Sequence, residues 1–295
     1  MTASKTDKNA GVKKAEIGGT ADRRFYSFLK YLSVALTVLS VVALVTIIAY
    51  VLINGCDKLS WQLLFGKYGA EPSIYPAFIG TLYLVLIASV IAVPIGIFSA
   101  IYLVEYMDNK GKIVKVIRIA TETLAGIPSI VYGLFGYLVF VVTFKWGYSL
   151  LGGGITLAIM ILPVIVRSTE ESLLAVPDGY REGSYALGTS KVRTIFSVVL
   201  PSAASGIVTS VILAVGRIVS ESAVLILTVG MVVNNVPKSV MSPGSSLALD
   251  IYYFASNGYP DEAAATSVIL LIVVILLNLA ASGIGKLMNK KTGGK

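Results

Sequence analysis

The stretch Pro177-Asp-Gly-Tyr-Arg-Glu-Gly-Ser-Tyr-Ala-Leu-Gly-Thr-Ser-Lys-Val-Arg-Thr-Ile-Phe-Ser-Val-Val-Leu-Pro201 is the most sharply punctuated part of the chain. Pro177 ends the helix before it, because its ring clashes with the preceding turn and it has no N–H to donate. Arg181 to Leu187 favours a short helix, and Gly188 can take the positive φ of a C-terminal cap. A second short helix runs from Ser190 towards Leu200. Pro201 suits the first turn of the next helix, where a missing N–H goes unneeded. The stretch therefore predicts a helix–turn–helix hairpin in which Gly183, Ser184 and Ala186 allow a neighbour to approach closely. On these residues alone, an amphipathic loop lying on lipid headgroups stays open as the alternative.

Composition sets the surroundings of that hairpin. The 295 residues are 56% hydrophobic and only 14% charged, with mean hydropathy +0.82. Soluble domains carry about 25% charge, and a soluble chain of this length leaves roughly a quarter of its extended surface wet. Soluble enzymes, disordered chains and disulfide-stapled domains are excluded. There is no histidine, so imidazole metal sites and imidazole acid–base chemistry are excluded too. A single cysteine, Cys56, rules out an internal disulfide.

A helix needs about 20 apolar residues to cross a roughly 30 Å hydrocarbon core. Charge-free runs at Tyr31–Cys56, Pro72–Val104, Thr123–Phe144, Trp146–Val166 and Ala263–Gly285 satisfy this, and Pro94 and Gly96 predict a kink in the second. Pro201–Val233 is also long enough but carries Arg217 and Glu221, which makes six expected spans. The first run exceeds the 7–15 residues of a signal-peptide core, so it reads as a retained span. The tails 1–29 and 289–295 read as disordered and cytoplasmic. Between the last two spans, Leu247–Phe254 suits either a short strand or a re-entrant helix.

The net charge of +8 needs its own explanation. Of the 24 Lys and Arg, 19 fall in the N-tail, Lys110–Arg118, Arg167–Arg193 and the C-tail. The opposite segments hold Lys58, Lys67, Lys145 and Lys238, and Arg217 is left within a span. The positive-inside rule then puts both termini and the hairpin in the cytoplasm. The charge is topology, with no nucleic-acid footprint.

A family resemblance now bears on the hairpin. Glu182-Gly183-Ser184, then Gly188, then Val198-x-Leu200-Pro201 resembles the EAA loop of permease subunits of ABC importers, with Gly-Ser in place of the usual Ala-Ala. The resemblance implies an all-α membrane protein: a type I importer (MetI-like) permease core over 72–288, preceded by a first transmembrane helix at 30–56. It implies that the coupling loop 177–201 docks in a groove of a separate ATPase, with Tyr180–Ser190 as the docking segment. Tyr180, Glu182, Gly183, Ser184, Leu187, Gly188, Leu200 and Pro201 are the candidate coupling residues, and Glu182 is the candidate for a charge contact. The chain has no Gly-x-x-x-x-Gly-Lys-Ser/Thr to cradle nucleotide phosphates. ATP would be bound by the partner, and no cofactor is expected here.

The blocks Ala100–Tyr106, Leu124–Gly133, Ile161–Glu171 and Gly216–Ser222 are similar to the A-type subunit of phosphate importers. That likeness implies a bacterial plasma-membrane subunit carrying inorganic phosphate. Its partners would be a C-type permease, an ATPase dimer and an extracytoplasmic phosphate-binding protein. A permease for molybdate or sulfate, or an ATPase-independent secondary transporter, are the rival readings.

Arg217 and Glu221 add a physical argument. Four residues apart, they would stack on one face of a continuous helix, and intramembrane charges are costly enough to mark function. They are the candidate substrate-path residues, with Arg217 offering paired hydrogen bonds to an oxyanion. Glu105, Asp108 and Glu122 read as ordinary loop charges. Glu170 and Glu171 read as solvated or paired with Arg167, and Gly152-Gly-Gly154 as an outer turn.

Overall fold

The computed structural model describes residues 20–66, 68–69, 72–107 and 111–291. Residues 1–19 and 292–295 of the expected tails fall outside the described residues, as do Lys67, Glu71, Asp108 and Lys110. Every element among the described residues is helical. The chain divides into one unit ending at Tyr50 and a second beginning at Val51.

The first unit holds most of α1 (Thr20–Cys56), which begins ahead of the expected boundary at residue 30. Lys30 does not stop the helix, because Phe25, Tyr26, Phe28 and Leu29 continue the apolar run on its near side. The hydroxyls of Ser33, Thr37, Ser40 and Thr46 each donate to a carbonyl three or four residues back, at 2.8–2.9 Å. No polar hydrogen on these side chains is then left bare where water is absent.

The second unit carries α2 (Trp61–Phe65) and α3 (Tyr75–Ile101), the latter extended by a π-helical turn at Tyr102–Tyr106. After α4 (Lys112–Ala125) comes α5 (Ser129–Gly136), which also ends in a π-helical turn, Tyr137–Thr143. Next are α6 (Leu150–Leu174), α7 (Asp178–Ala186) and α8 (Lys191–Thr194). A third π-helical turn, Ile195–Val199, leads into α9 (Leu200–Val219), followed by α10 (Ala223–Thr228), α11 (Leu247–Ser256) and α12 (Pro260–Lys291).

Among the described residues, five helical runs are long and apolar enough to span a membrane: Phe25–Cys56, Tyr75–Tyr106, Leu150–Leu174, Lys191–Val219 and Pro260–Met288. The sixth expected span, Thr123–Phe144, is instead a pair: α4 and the helix Ser129–Thr143, bent by 95°. Gly126-Ile127-Pro128 makes the corner, since a proline forces the residue before it out of the helical region.

The core forms where α3 lies along α6. Leu84, Ala88, Ala92, Gly96 and Ala100 recur every four residues on α3, and all are buried. In lipid no hydrophobic force draws helices together, so close packing of small residues has to supply the attraction. A Cβ on Gly96 would come within 2.6 Å of Ile165 Cγ2. Pro94 sits inside α3 without ending it. Gly152-Gly-Gly154 belongs to the first turns of α6, capped by Ser149, and is not an outer turn. A Cβ on Gly153 would meet Val229 at 2.4 Å and one on Gly154 would meet Ile87 at 2.6 Å. The segment 247–254, open between strand and helix on sequence, is α11. Ser246 caps it, and Leu247, Leu249 and Phe254 are buried.

Candidate functional site

The hairpin forms much as its punctuation predicts. Gly188 has φ +76°, closing α7. Ser190 caps α8, accepting from the Arg193 N–H at 3.4 Å. Ser184, Thr189 and Thr194 bring three hydroxyl oxygens within 2.7–2.9 Å of one another. Thr189 also donates to the Ser184 carbonyl at 2.8 Å. That leaves two hydroxyl hydrogens for three oxygen pairs, so two of the pairs are hydrogen-bonded at a time, and they pin the two arms together.

Pro201 stands in the first turn of α9, as expected, but the helix does not start afresh there: Lys191–Val219 is one helical run, with the π-helical turn Ile195–Val199 just before Leu200. Tyr180, Gly183, Ser184, Leu187 and Pro201 all line one groove of about 540 Å³ on the hairpin. Tyr180, Glu182, Gly183, Gly188 and Leu187 are exposed, Leu187 by 84%. Leu200 is half-buried beneath. A Cβ on Gly183 would meet nothing within 4 Å, so its small size serves no contact within this chain.

Beneath the exposed face, sequence reasoning leaves Arg181 unassigned and takes Glu105 for an ordinary loop charge. The two form a buried ion pair at 2.8 Å, their side chains 14% and 5% exposed. Arg181 also donates to the carbonyls of Val176 (2.8 Å) and Leu173 (3.0 Å) at the end of α6. Lys191 stands 4.8 Å from the Tyr106 ring centre, a second tie to the same π-helical turn. Arg118 binds the buried Glu170 through Nε at 2.6 Å, correcting the expected pairing of that residue with Arg167. Arg167 bonds Glu171 at 2.7 Å and also Glu122.

The second candidate lies at the far end of α9. The helix stops at Val219, and Glu221 lies beyond it. Its carboxylate accepts from the Ala223 and Val224 N–H groups at 3.0 and 3.4 Å, heading α10. Arg217 and Glu221 therefore do not stack on one continuous helix, and among the described residues no ion pair joins them. Arg217 is exposed, and its charge acts on the Tyr132 hydroxyl. One turn earlier on the same helix face is Leu213, at the rim of a groove of about 690 Å³. Ser202, Ser205, Gly206 and Thr209 of α9 line it, facing Ser168 and Ser172 of α6.

The profile of the family described as "Binding-protein-dependent transport system inner membrane component" matches residues 92–294, from within α3 to beyond α12. The chain belongs to that family of permeases. The probable ABC transporter permease protein YqgI of Bacillus subtilis is 34% identical over 267 residues, covering 84% of this permease and 90% of the relative. The phosphate transport system permease protein PstA of Mycobacterium leprae is 41% identical over 157 residues, 53% of this permease and about half (51%) of the relative. Among solved structures, an inward-facing MetNI methionine ABC transporter chain superposes with TM-score 0.57 at 21% identity, over 73% of this permease and 94% of that chain. The permease thus has the type I importer fold, as the hairpin predicts. Such a permease is the membrane component of an ABC importer, and ATP hydrolysis belongs to a separate subunit.

Proposed function

We propose that the chain is the A-type permease of an ATP-driven importer that carries inorganic phosphate across a bacterial plasma membrane. In this reading it pairs with a C-type permease, takes phosphate from an extracytoplasmic binding protein, and docks α7 on one subunit of an ATPase dimer. The likeness to phosphate permeases supports the substrate, and the exposed groove around Tyr180 and Leu187 supports the docking. The observation that carries the substrate reading is Arg217: an exposed guanidinium at the end of a membrane helix, with no carboxylate in ion-pair range among the described residues. A guanidinium offers paired donors matched to two oxygens of an oxyanion. The polar residues of α9 line the groove up to Ser210, and Leu213 separates them from Arg217 one turn further on. Glu221 follows in the break and can accept a hydrogen from a protonated phosphate oxygen, which sulfate lacks.

The assembled importer in proteoliposomes tests this. Arg217→Gln is expected to cut ATP-dependent uptake of labelled phosphate at least tenfold, and near-normal uptake would remove Arg217 from the path. In the same assay, Glu221→Gln is expected to let sulfate compete, and unchanged discrimination would remove Glu221.

A further inference from the structure

We infer that the Arg181–Glu105 ion pair is the positioning link through which movement of α7 reaches the spans α3 and α6. This rests on the reading that α7 docks on an ATPase subunit.

The reason lies in how little else fastens α7. Its only buried residue is Ser184, and the side-chain hydrogen bonds of Ser184 stay within the hairpin. No apolar side chain of α7 is buried, so a push on its outer face is not spread through a hydrophobic interface. Arg181 is the side chain by which α7 itself reaches past the hairpin, whose second arm buries Ile195 and Val199 in one apolar cluster with Ala100, Ile101 and Leu173. Its Nε and one terminal nitrogen hold Glu105 at 3.1 and 2.8 Å, and its terminal nitrogens also hold the Leu173 and Val176 carbonyls. Those carbonyls lie at the C-terminal end of α6, where the helix leaves its last acceptors without intrahelical partners.

One planar guanidinium therefore grips two spans at once: α6 through backbone, and α3 through the π-helical turn that carries Glu105. The rigid fork of an arginine fixes direction as well as distance. A buried ion pair gives little net stability compared with apolar packing, so a geometric role suits this one better than a stabilising one. Lys191 over Tyr106 adds a tie from the second arm to the same turn.

The test uses the assembled importer, measuring ATP hydrolysis and labelled-phosphate uptake on one preparation. Glu105→Gln and Arg181→Lys keep a polar group but lose the charge pair or the fork. Each is expected to lower phosphate carried per ATP at least tenfold, with hydrolysis held within about twofold. Parallel loss of both activities, or an unchanged ratio, would overturn the link. If Glu105→Gln fails to assemble, Glu105→Asp keeps the charge with a shorter reach, and an intermediate ratio is expected. Docking is read separately by cross-linking a Gly183→Cys variant, in a Cys56→Ser background, to the ATPase. No cross-link in otherwise native chain removes the docking reading. A normal cross-link in Glu105→Gln with an unchanged ratio removes only the link.

Discussion

Asp250 shows what burial does to a single group. It lies in α11, a helix of 10 residues that is too short to span, and it is fully buried. Ser245 donates to one carboxyl oxygen, while the other has no partner. Burial pushes the Asp250 carboxyl up to about 8, and the Ser245 hydrogen bond only partly offsets it. In an unfolded chain the same group titrates near 3.9. Below about pH 4 both states are protonated and the site costs nothing. As pH rises from about 4 to 8, the unfolded chain releases its proton while the folded one keeps it, so stability falls and then levels off. Thermal denaturation of the purified protein from pH 5 to 9 should show this decline. Asp250→Asn should flatten it, and an unchanged slope in that variant would show that other groups set the dependence.

At the scale of elements, the hairpin carries two glycines with opposite demands. Gly188 has a positive φ that costs other residues about 1–2 kcal/mol. Gly183 is helical with open space around it, so alanine there should add about 1 kcal/mol of helix stability. Amide hydrogen exchange over residues 178–194 should slow in Gly183→Ala and quicken in Gly188→Ala. Shifts in the same direction would contradict this account. The hairpin is legible in sequence because Pro177 and Gly188 act locally. The break after α9 is not, because no glycine or proline marks it. Its cause is the Glu221 side chain turning back on the next backbone N–H groups, for which Ser220-Glu221-Ser222 is a weak signal. Arg181 is hidden for another reason: Glu105 is 76 residues away, and only the fold brings the two together.

For the whole molecule, the six apolar runs set the architecture, because a bilayer tolerates few other uses of such lengths. The charge-free rule fails where charged side chains find partners. Glu170, Arg118 and Glu122 are satisfied across the α4–α6 contact, so the helices extend past the limits that bare charge would set. The cation distribution predicts that the hairpin and the segment before α11 face opposite sides. In a Cys56→Ser background, Lys238→Cys should react with an impermeant maleimide from outside intact cells, and Arg193→Cys only after permeabilisation. Labelling of both from one side would invert or break that topology.

The repeated small residues along α3 have a mechanical consequence. Where Gly96 meets Ile165 only that branched side chain lies between the two helices, so the pair has little compliance in compression. A displacement imposed at the Glu105 end would then arrive at the far end of the pair nearly undiminished.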